Sequence, residues 1–213
     1  MRLAKGTQEN GVVVGNTYDK YGSRNPVVRY LMQGFERSLQ TLVTKTGAKE
    51  IHEVGCGEGY WTLRWLKEGY QVRGSDFSVR AIELARINAD SDKVDLKVAS
   101  VYDLTSPNDA AELVVCCEVL EHLEDPERAL GVLKTLASPF LIVSVPCEPV
   151  WRILNLIRGS YWKDLGNTPG HRQHWSKRAF VELVGAYFEI LDVQSPLPWT
   201  MILAKQERTV LCR

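Results

Sequence analysis

Glu50-Ile51-His52-Glu53-Val54-Gly55-Cys56-Gly57-Glu58-Gly59-Tyr60 decides the fold of this 213-residue chain. Its first five residues read as a short strand and its three alternate glycines as a tight loop. A helix follows, because Trp61, Trp65 and Leu66 recur at helical spacing. Working outward, strand and helix keep alternating. Residues 71–74 form a second strand that reaches Asp76, and Ser78 caps a helix carrying Ala81, Ile82 and Ala85. Residues 94–98 are a third strand and residues 113–117 a fourth that is almost wholly apolar. Asp125-Pro126 starts a helix with Leu130, Leu133 and Leu136 inward, since Asp suits the N-cap and Pro the first helical position. Residues 140–145 are a fifth strand ending at Pro146. Ser176 caps a helix with Phe180, Leu183 and Val184 inward, and residues 189–193 and 200–204 close the chain as strands. Unbroken Val/Ile/Leu runs belong to strands buried on both faces, as in a parallel sheet. The spacing therefore predicts an α/β, doubly wound, mostly parallel seven-stranded sheet. Only residues 194–199 join the last two strands, so they form a hairpin that adds one antiparallel strand.

Upstream of the glycine strand, Val28, Leu31, Met32, Phe35, Leu39 and Leu42 form the apolar stripe of a helix running from Asn25-Pro26 to Thr46-Gly47. The polar first dozen residues are expected to fray. Two units follow from these boundaries: an N-terminal cap over residues 1–45, and a core over residues 46–207 with an insertion at 146–173.

Composition narrows the class. Lys+Arg and Asp+Glu both number 26, so the formal charge is zero and no broad basic field exists to hold nucleic acid. No apolar run approaches the roughly 18 residues of a membrane span. The five cysteines (Cys56, Cys116, Cys117, Cys147 and Cys212) are odd in number and lack CxxC spacing, so neither a metal site nor a disulfide framework is expected. A cytoplasmic protein is the corresponding expectation, and the oligomeric state is not legible.

The glycine loop carries the chemistry. Ligands of open α/β sheets bind at the carboxyl ends of the strands. Glycines let the backbone approach a ligand closely, and the following helix offers unpaired N–H groups. A dinucleotide site wants G-x-G-x-x-G, but here the third glycine falls one residue early and Tyr60 is bulky. Glu53 at the strand end suits a cationic amino group better than a pyrophosphate. The pattern E-x-G-x-G-x-G over residues 53–59 resembles the first motif of class I S-adenosylmethionine (AdoMet) methyltransferases. The stretch Cys116-Cys117-Glu118-Val119-Leu120-Glu121-His122-Leu123-Glu124-Asp125-Pro126 is similar to the segment after the fourth strand in small-molecule methyltransferases, above all the ubiquinone/menaquinone-biosynthesis type. That resemblance extends over approximately residues 18–205 and includes Tyr18-Asp19-Lys20-Tyr21 and Asn25–Arg29 as a cap over the cofactor.

The resemblance implies a Rossmann-like methyltransferase fold, AdoMet as cofactor, S-adenosylhomocysteine (SAH) as product and a small-molecule acceptor, with oxygen the favoured atom. It also implies contacts. Glu53, Gly55, Cys56 and Gly57 surround the methionine part; Asp76 holds the ribose and Phe77 meets the adenine. Ser100 and Val101 line the adenine edge, and Cys117 and Glu118 pass beside the sulfonium with His122 next to them. Tyr21 belongs to the cap, and Arg29 either pairs with the cofactor carboxylate or stays a surface arginine. Many relatives carry Asp where this chain has Ser100, which leaves Tyr102 or Asp103 to compensate. The usual Pro-Gly-Gly turn before the fifth strand is replaced by Ala137-Ser138-Pro139.

Methyl transfer needs an acceptor in line with the S–CH3 bond, and a base only if the acceptor must lose a proton. His171 and His174 are the candidate bases, with His122 either catalytic or structural and His52 a sheet-face residue. The insertion places Trp151, Leu154, Ile157 and Tyr161 on one helical face. It reads as a lid over the acceptor, with contact to a membrane surface as the alternative. Two other classes stay open at this level: a nicotinamide-dependent oxidoreductase, and an AdoMet-binding module without turnover.

Overall fold

The computed structural model describes residues 1–4, 8–9, 12–13, 15, 19–89, 94–157, 165–168 and 170–206. In chain order the elements are β1 (Gln8–Glu9), β2 (Val12–Val13), α1 (Pro26–Thr46), β3 (Glu50–Val54), α2 (Tyr60–Lys67), β4 (Gln71–Asp76) and α3 (Val79–Ala89). They continue with β5 (Asp95–Val98), β6 (Ala111–Cys117), α4 (Pro126–Leu136), β7 (Ala137–Pro146), α5 (Val150–Ile157), α6 (Lys177–Gly185), β8 (Glu189–Gln194) and β9 (Trp199–Lys205). Seven strands form one sheet in the order β5-β4-β3-β6-β7-β9-β8. All neighbours run parallel except β9, which is antiparallel to both β7 and β8. The hairpin expected at the end of the chain is therefore present, and β9 is its reversed strand.

Alternate side chains explain why both faces are covered. On β6, Val114 and Cys116 join the core made by α4 and α6 around Leu130, Leu133 and Phe180. Leu113 and Val115 point the other way, against Phe35, Leu39, Trp61 and Trp65 of α1 and α2. Asn25 caps α1 by accepting from Val27 and Val28, and Gly47 ends it at φ +67. Asp125 accepts from Arg128 at the start of α4. No loop separates α4 from β7, so Ala137 already begins the strand. His52 is buried as a sheet-face residue: Nδ1 donates to the Asp109 carbonyl at 2.7 Å and Nε2 accepts from the Ser75 hydroxyl at 2.9 Å.

One sequence expectation needs correction. Part of the opening segment is ordered: β1 and β2 pair antiparallel. Glu9 ties it down, accepting from the Ser78 hydroxyl at 3.0 Å and from the Arg80 N–H at 3.1 Å at the start of α3. On α5, Asn155 is buried, because its amide donates to the Gly166 carbonyl at 2.8 Å and to the Thr168 hydroxyl at 3.1 Å. Ile157 is 76% exposed. Tyr18, Tyr161 and Cys212 lie outside the described residues.

Candidate active site

Strand order reverses between β3 and β6, which opens a crevice at their carboxyl ends. Two loops meet there. Gly55 has φ +81, and a Cβ added to it would lie 2.2 Å from Val119 Cγ2, so only glycine lets the loop after β3 pass the loop after β6. The Gly55 and Cys56 N–H groups both donate to the Ser75 carbonyl, at 2.7 and 3.0 Å. Gly57, at φ +53, faces open space, since an added Cβ would meet nothing within 4 Å.

Acidic side chains wall this crevice. Glu53 is buried on β3, and its Oε2 accepts from the Thr62 N–H at 2.8 Å and from the Thr62 hydroxyl. Burial pushes its pKa up to about 8, against the lowering effect of those donors. Asp76 ends β4; Oδ2 accepts from the Gly57 N–H and Oδ1 from the Ser78 N–H, both at 2.9 Å. Its pKa is also raised, again by burial first. Such a wall fits a cofactor that brings cationic groups and a ribose diol, and it opposes a pyrophosphate.

The remaining implied contacts divide. Phe77, next to Asp76 in the chain, stands exposed, and Val101 is buried. The Ser100 hydroxyl caps the 3-10 turn of Val101–Asp103 by accepting from the Tyr102 N–H. Tyr102 does not compensate at the adenine edge, because its hydroxyl donates to the Asp125 carbonyl at 3.0 Å. The Cys56 thiol packs inward with Ile82, Ala85 and Leu96, which leaves only its backbone facing the loop. Tyr21 stacks on Tyr60 with centroids 3.5 Å apart, and its hydroxyl accepts from Trp61 Nε1 at 3.0 Å. Arg29 sits at the exposed mouth of a cleft of about 270 Å³ lined by Lys20, Tyr21 and Tyr60.

Beyond the cofactor crevice lies a second group of residues. Cys117 is half-buried at the end of β6. Glu118, at φ +60, turns its carboxylate toward Ser144 (3.1 Å) and Trp199 Nε1 (2.7 Å), both of which donate to it. Trp199 in turn lies 5.9 Å from Trp151, which stacks on His171 at 5.9 Å. The His171 ring is 5.0 Å from His122 and 6.4 Å from His174. His122 Nδ1 donates to the Gly170 carbonyl at 2.9 Å. Burial, with His122 and His174 alongside, pushes His171 down to about 3. His171 is thus neutral near pH 7 and a poor proton acceptor. His174 is set differently, with Nδ1 at 3.5 Å from Glu148 Oε1. The three histidines do gather, but sequence reasoning missed Trp199, Ser144 and Glu148. Their signal is strand pairing, since Trp199 is in register with Pro146 and Ser144 with Cys117.

Sheet order, glycine loop and acidic wall form an α/β crevice suited to AdoMet, and comparison with known proteins carries this further. Residues 52–139 match the family described as "Methyltransferase domain". The ubiquinone biosynthesis O-methyltransferase of Bordetella parapertussis is 27% identical over 165 residues, covering 69% of this chain and 68% of that protein. The protein of the same name from Vibrio atlanticus is 32% identical over 94 residues, 43% of this chain and 40% of its own. Magnesium protoporphyrin IX methyltransferase from Synechocystis, solved with SAH bound, superposes with a TM-score of 0.66 at 20% identity, covering 87% of this chain and 90% of that one. These comparisons support an AdoMet-dependent methyltransferase, with AdoMet as methyl donor and SAH as product. The nicotinamide alternative finds no support in these comparisons.

Glu53 gives cofactor binding a pH dependence. With a folded-state pKa of about 8 it carries a proton at pH 7. A cationic amino group beside it favours the ionised form, so binding expels that proton. SAH affinity is expected to rise with pH toward 8, by at most ~10-fold per unit. Calorimetric titration at pH 7 in two buffers of different ionisation enthalpy checks this. Release of up to one proton is expected in the native chain and none in Glu53→Gln; equal heats in both buffers for the native chain would sink it. The same shift acts on folding with the opposite sense. A raised carboxyl pKa contributes stability that is full below the unfolded value and is lost as pH climbs through about 8.

Proposed function

We propose that the chain methylates a hydroxyl oxygen of a planar small molecule. The observation that carries this is the aromatic cluster beyond Glu118, where Trp151, Trp199 and His171 stand within 5.9 Å of their neighbours, as the wall of an acceptor chamber. Flat rings of this kind hold a flat acceptor by stacking and by burying its apolar faces. AdoMet, when bound, supplies an electrophilic methyl group on a sulfonium. Asp76, Glu53 and the glycine loop hold the cofactor; the chamber orients the acceptor and excludes water; His174 takes the hydroxyl proton and, being part-exposed, passes it to solvent. The relatives named as ubiquinone biosynthesis O-methyltransferases support oxygen as the acceptor atom.

In this reading residues 1–45 cap the cofactor and the 146–173 insertion is the lid, with no part for nucleic acid. The outward face of α5 favours a second role for the lid, since Ile153 and Ile157 are exposed together with Leu165, as contact with a membrane surface would require. No helix among the described residues is long and apolar enough to cross a membrane. Cys56, Cys116, Cys117 and Cys147 are free thiols, which suits a cytoplasmic location.

The test is incubation with AdoMet bearing a deuterated methyl group and a panel of hydroxylated aromatics, each beside its amino analogue. SAH release and an O–CD3 product are expected. An N- or C-methylated product overturns the oxygen assignment, and SAH release only with non-planar acceptors overturns the stacking chamber.

A further inference from the structure

The start of the chain is pinned along the Asp76 side of the cofactor crevice. Arg2 and Asn88, near the end of α3, exchange two bonds: the Arg2 N–H donates to Asn88 Oδ1 at 2.7 Å, and Asn88 Nδ2 donates to the Arg2 carbonyl at 3.0 Å. The same amide group also donates to the Glu58 carbonyl at 3.0 Å, inside the glycine loop. The Ala4 N–H donates to Glu58 Oε1 at 3.1 Å, and both residues are buried.

From this anchorage β1 carries Glu9 to the first turn of α3. Its Oε1 accepts from the Ser78 hydroxyl at 3.0 Å and from the Arg80 N–H at 3.1 Å. Asp76 Oδ1 accepts from the Ser78 N–H at 2.9 Å. Ser78 thus holds both carboxylates, one by its hydroxyl and one by its backbone. A carboxylate at a helix start gains from the unpaired N–H groups there, which accounts for Glu9 Oε1. It does not account for a charge set against Asp76. Ser78 already caps α3 by accepting from the Ala81 N–H at 2.9 Å, so a neutral side chain at position 9 would anchor the segment as well. Two carboxylates side by side repel, and Asp76, raised first by burial, is raised further by Glu58 and Glu9. Hydroxyl donors placed between them relieve that cost, and a vicinal diol brings two.

We propose that Glu9 is a cofactor-binding residue, which joins Asp76 in holding the ribose diol of AdoMet, one hydroxyl to each carboxylate. The first residues of the chain then belong to the cofactor site rather than to a frayed end. The pair also selects a free diol, since a phosphate on either hydroxyl would meet two negative charges. This inference rests on the placement of the ribose at Asp76 in the reading above.

The experiment is calorimetric titration of the full chain with SAH and with the two SAH analogues that each lack one ribose hydroxyl. Glu9→Ala is expected to bind SAH about 10-fold more weakly, the loss of one charge-assisted hydrogen bond. It is expected to bind one of the two analogues as well as the native chain does, because that analogue lacks the hydroxyl Glu9 receives. Glu9→Gln keeps an oxygen for Ser78 and Arg80, so it holds the segment in place and loses less than Glu9→Ala. Equal losses for all three ligands would mean that Glu9 acts only through the fold, and overturn the contact; undiminished SAH affinity overturns it too. Asp76→Ala tests the reading underneath. Full SAH affinity in that variant takes the ribose away from Asp76 and the Glu9 contact with it, whereas a loss in Asp76→Ala with none in Glu9→Ala overturns Glu9 alone.

Discussion

Gly57→Val is expected to abolish cofactor binding in a chain that still folds, with SAH affinity lowered by at least ~1000-fold, about 4 kcal/mol. The two halves of this outcome come from different facts. At φ +53 a side-chain-bearing residue is strained, at a cost of about 1–2 kcal/mol, which a domain with ordinary stability survives. An added Cβ there meets no protein atom within 4 Å, so nothing in the fold is displaced. What valine fills is the space beside Asp76, whose Oδ2 accepts from the Gly57 N–H. Gly55→Val is the contrast. Its Cβ would lie 2.2 Å from Val119 Cγ2, between the two loops that form the crevice, so this variant loses stability as well as binding. Thermal unfolding and SAH titration on both variants separate the two effects. Normal SAH binding by Gly57→Val would remove the cofactor from the glycine loop.

The same pair of glycines shows what is legible in a sequence and what is not. Three alternate glycines after a strand identify a ligand loop, because local chemistry is read locally. Which glycine faces the ligand and which faces a neighbouring loop depends on Val119, 64 positions on from Gly55, and no periodicity reports that. The strands were legible for the first reason: apolar runs place β6 and β9 within a residue or two of their observed ends, and the glycine loop marks the end of β3. Which residue of the lid helix is buried was not legible, for the second reason: a helix packed on a polar loop buries the residue that can satisfy that loop. In α5 this is Asn155, bonded to Gly166 and Thr168. Likewise Trp199 is an ordinary strand tryptophan in sequence. It becomes a functional candidate only because β9 pairs with β7 and carries its indole N–H to Glu118.

His174→Ala is expected to lower kcat by about 100-fold while leaving SAH affinity unchanged, the lower end of what a positioned base contributes. Among the three clustered histidines it is the one arranged to receive a proton. His171 is held neutral, down to about 3, by burial and by the imidazoles beside it, and His122 spends Nδ1 on the Gly170 carbonyl. His174 Nδ1 instead faces Glu148 Oε1 at 3.5 Å, so the imidazolium that forms on accepting a proton stands against a carboxylate. Among the described residues no hydrogen-bond donor meets the Glu148 carboxylate, and Arg152 is a second charged neighbour, at 3.7 Å. Glu148→Gln keeps the shape and removes that charge, so it should reproduce part of the His174→Ala loss in kcat with little change in acceptor KM. The pH profile distinguishes a base from a merely structural side chain. As the medium itself ionises the acceptor hydroxyl, no base is needed, and the rate of His174→Ala should converge on that of the native chain at high pH. A deficit that persists unchanged across the profile would mean that His174 positions the lid rather than taking the proton, and turnover undiminished at neutral pH would remove it from the reaction.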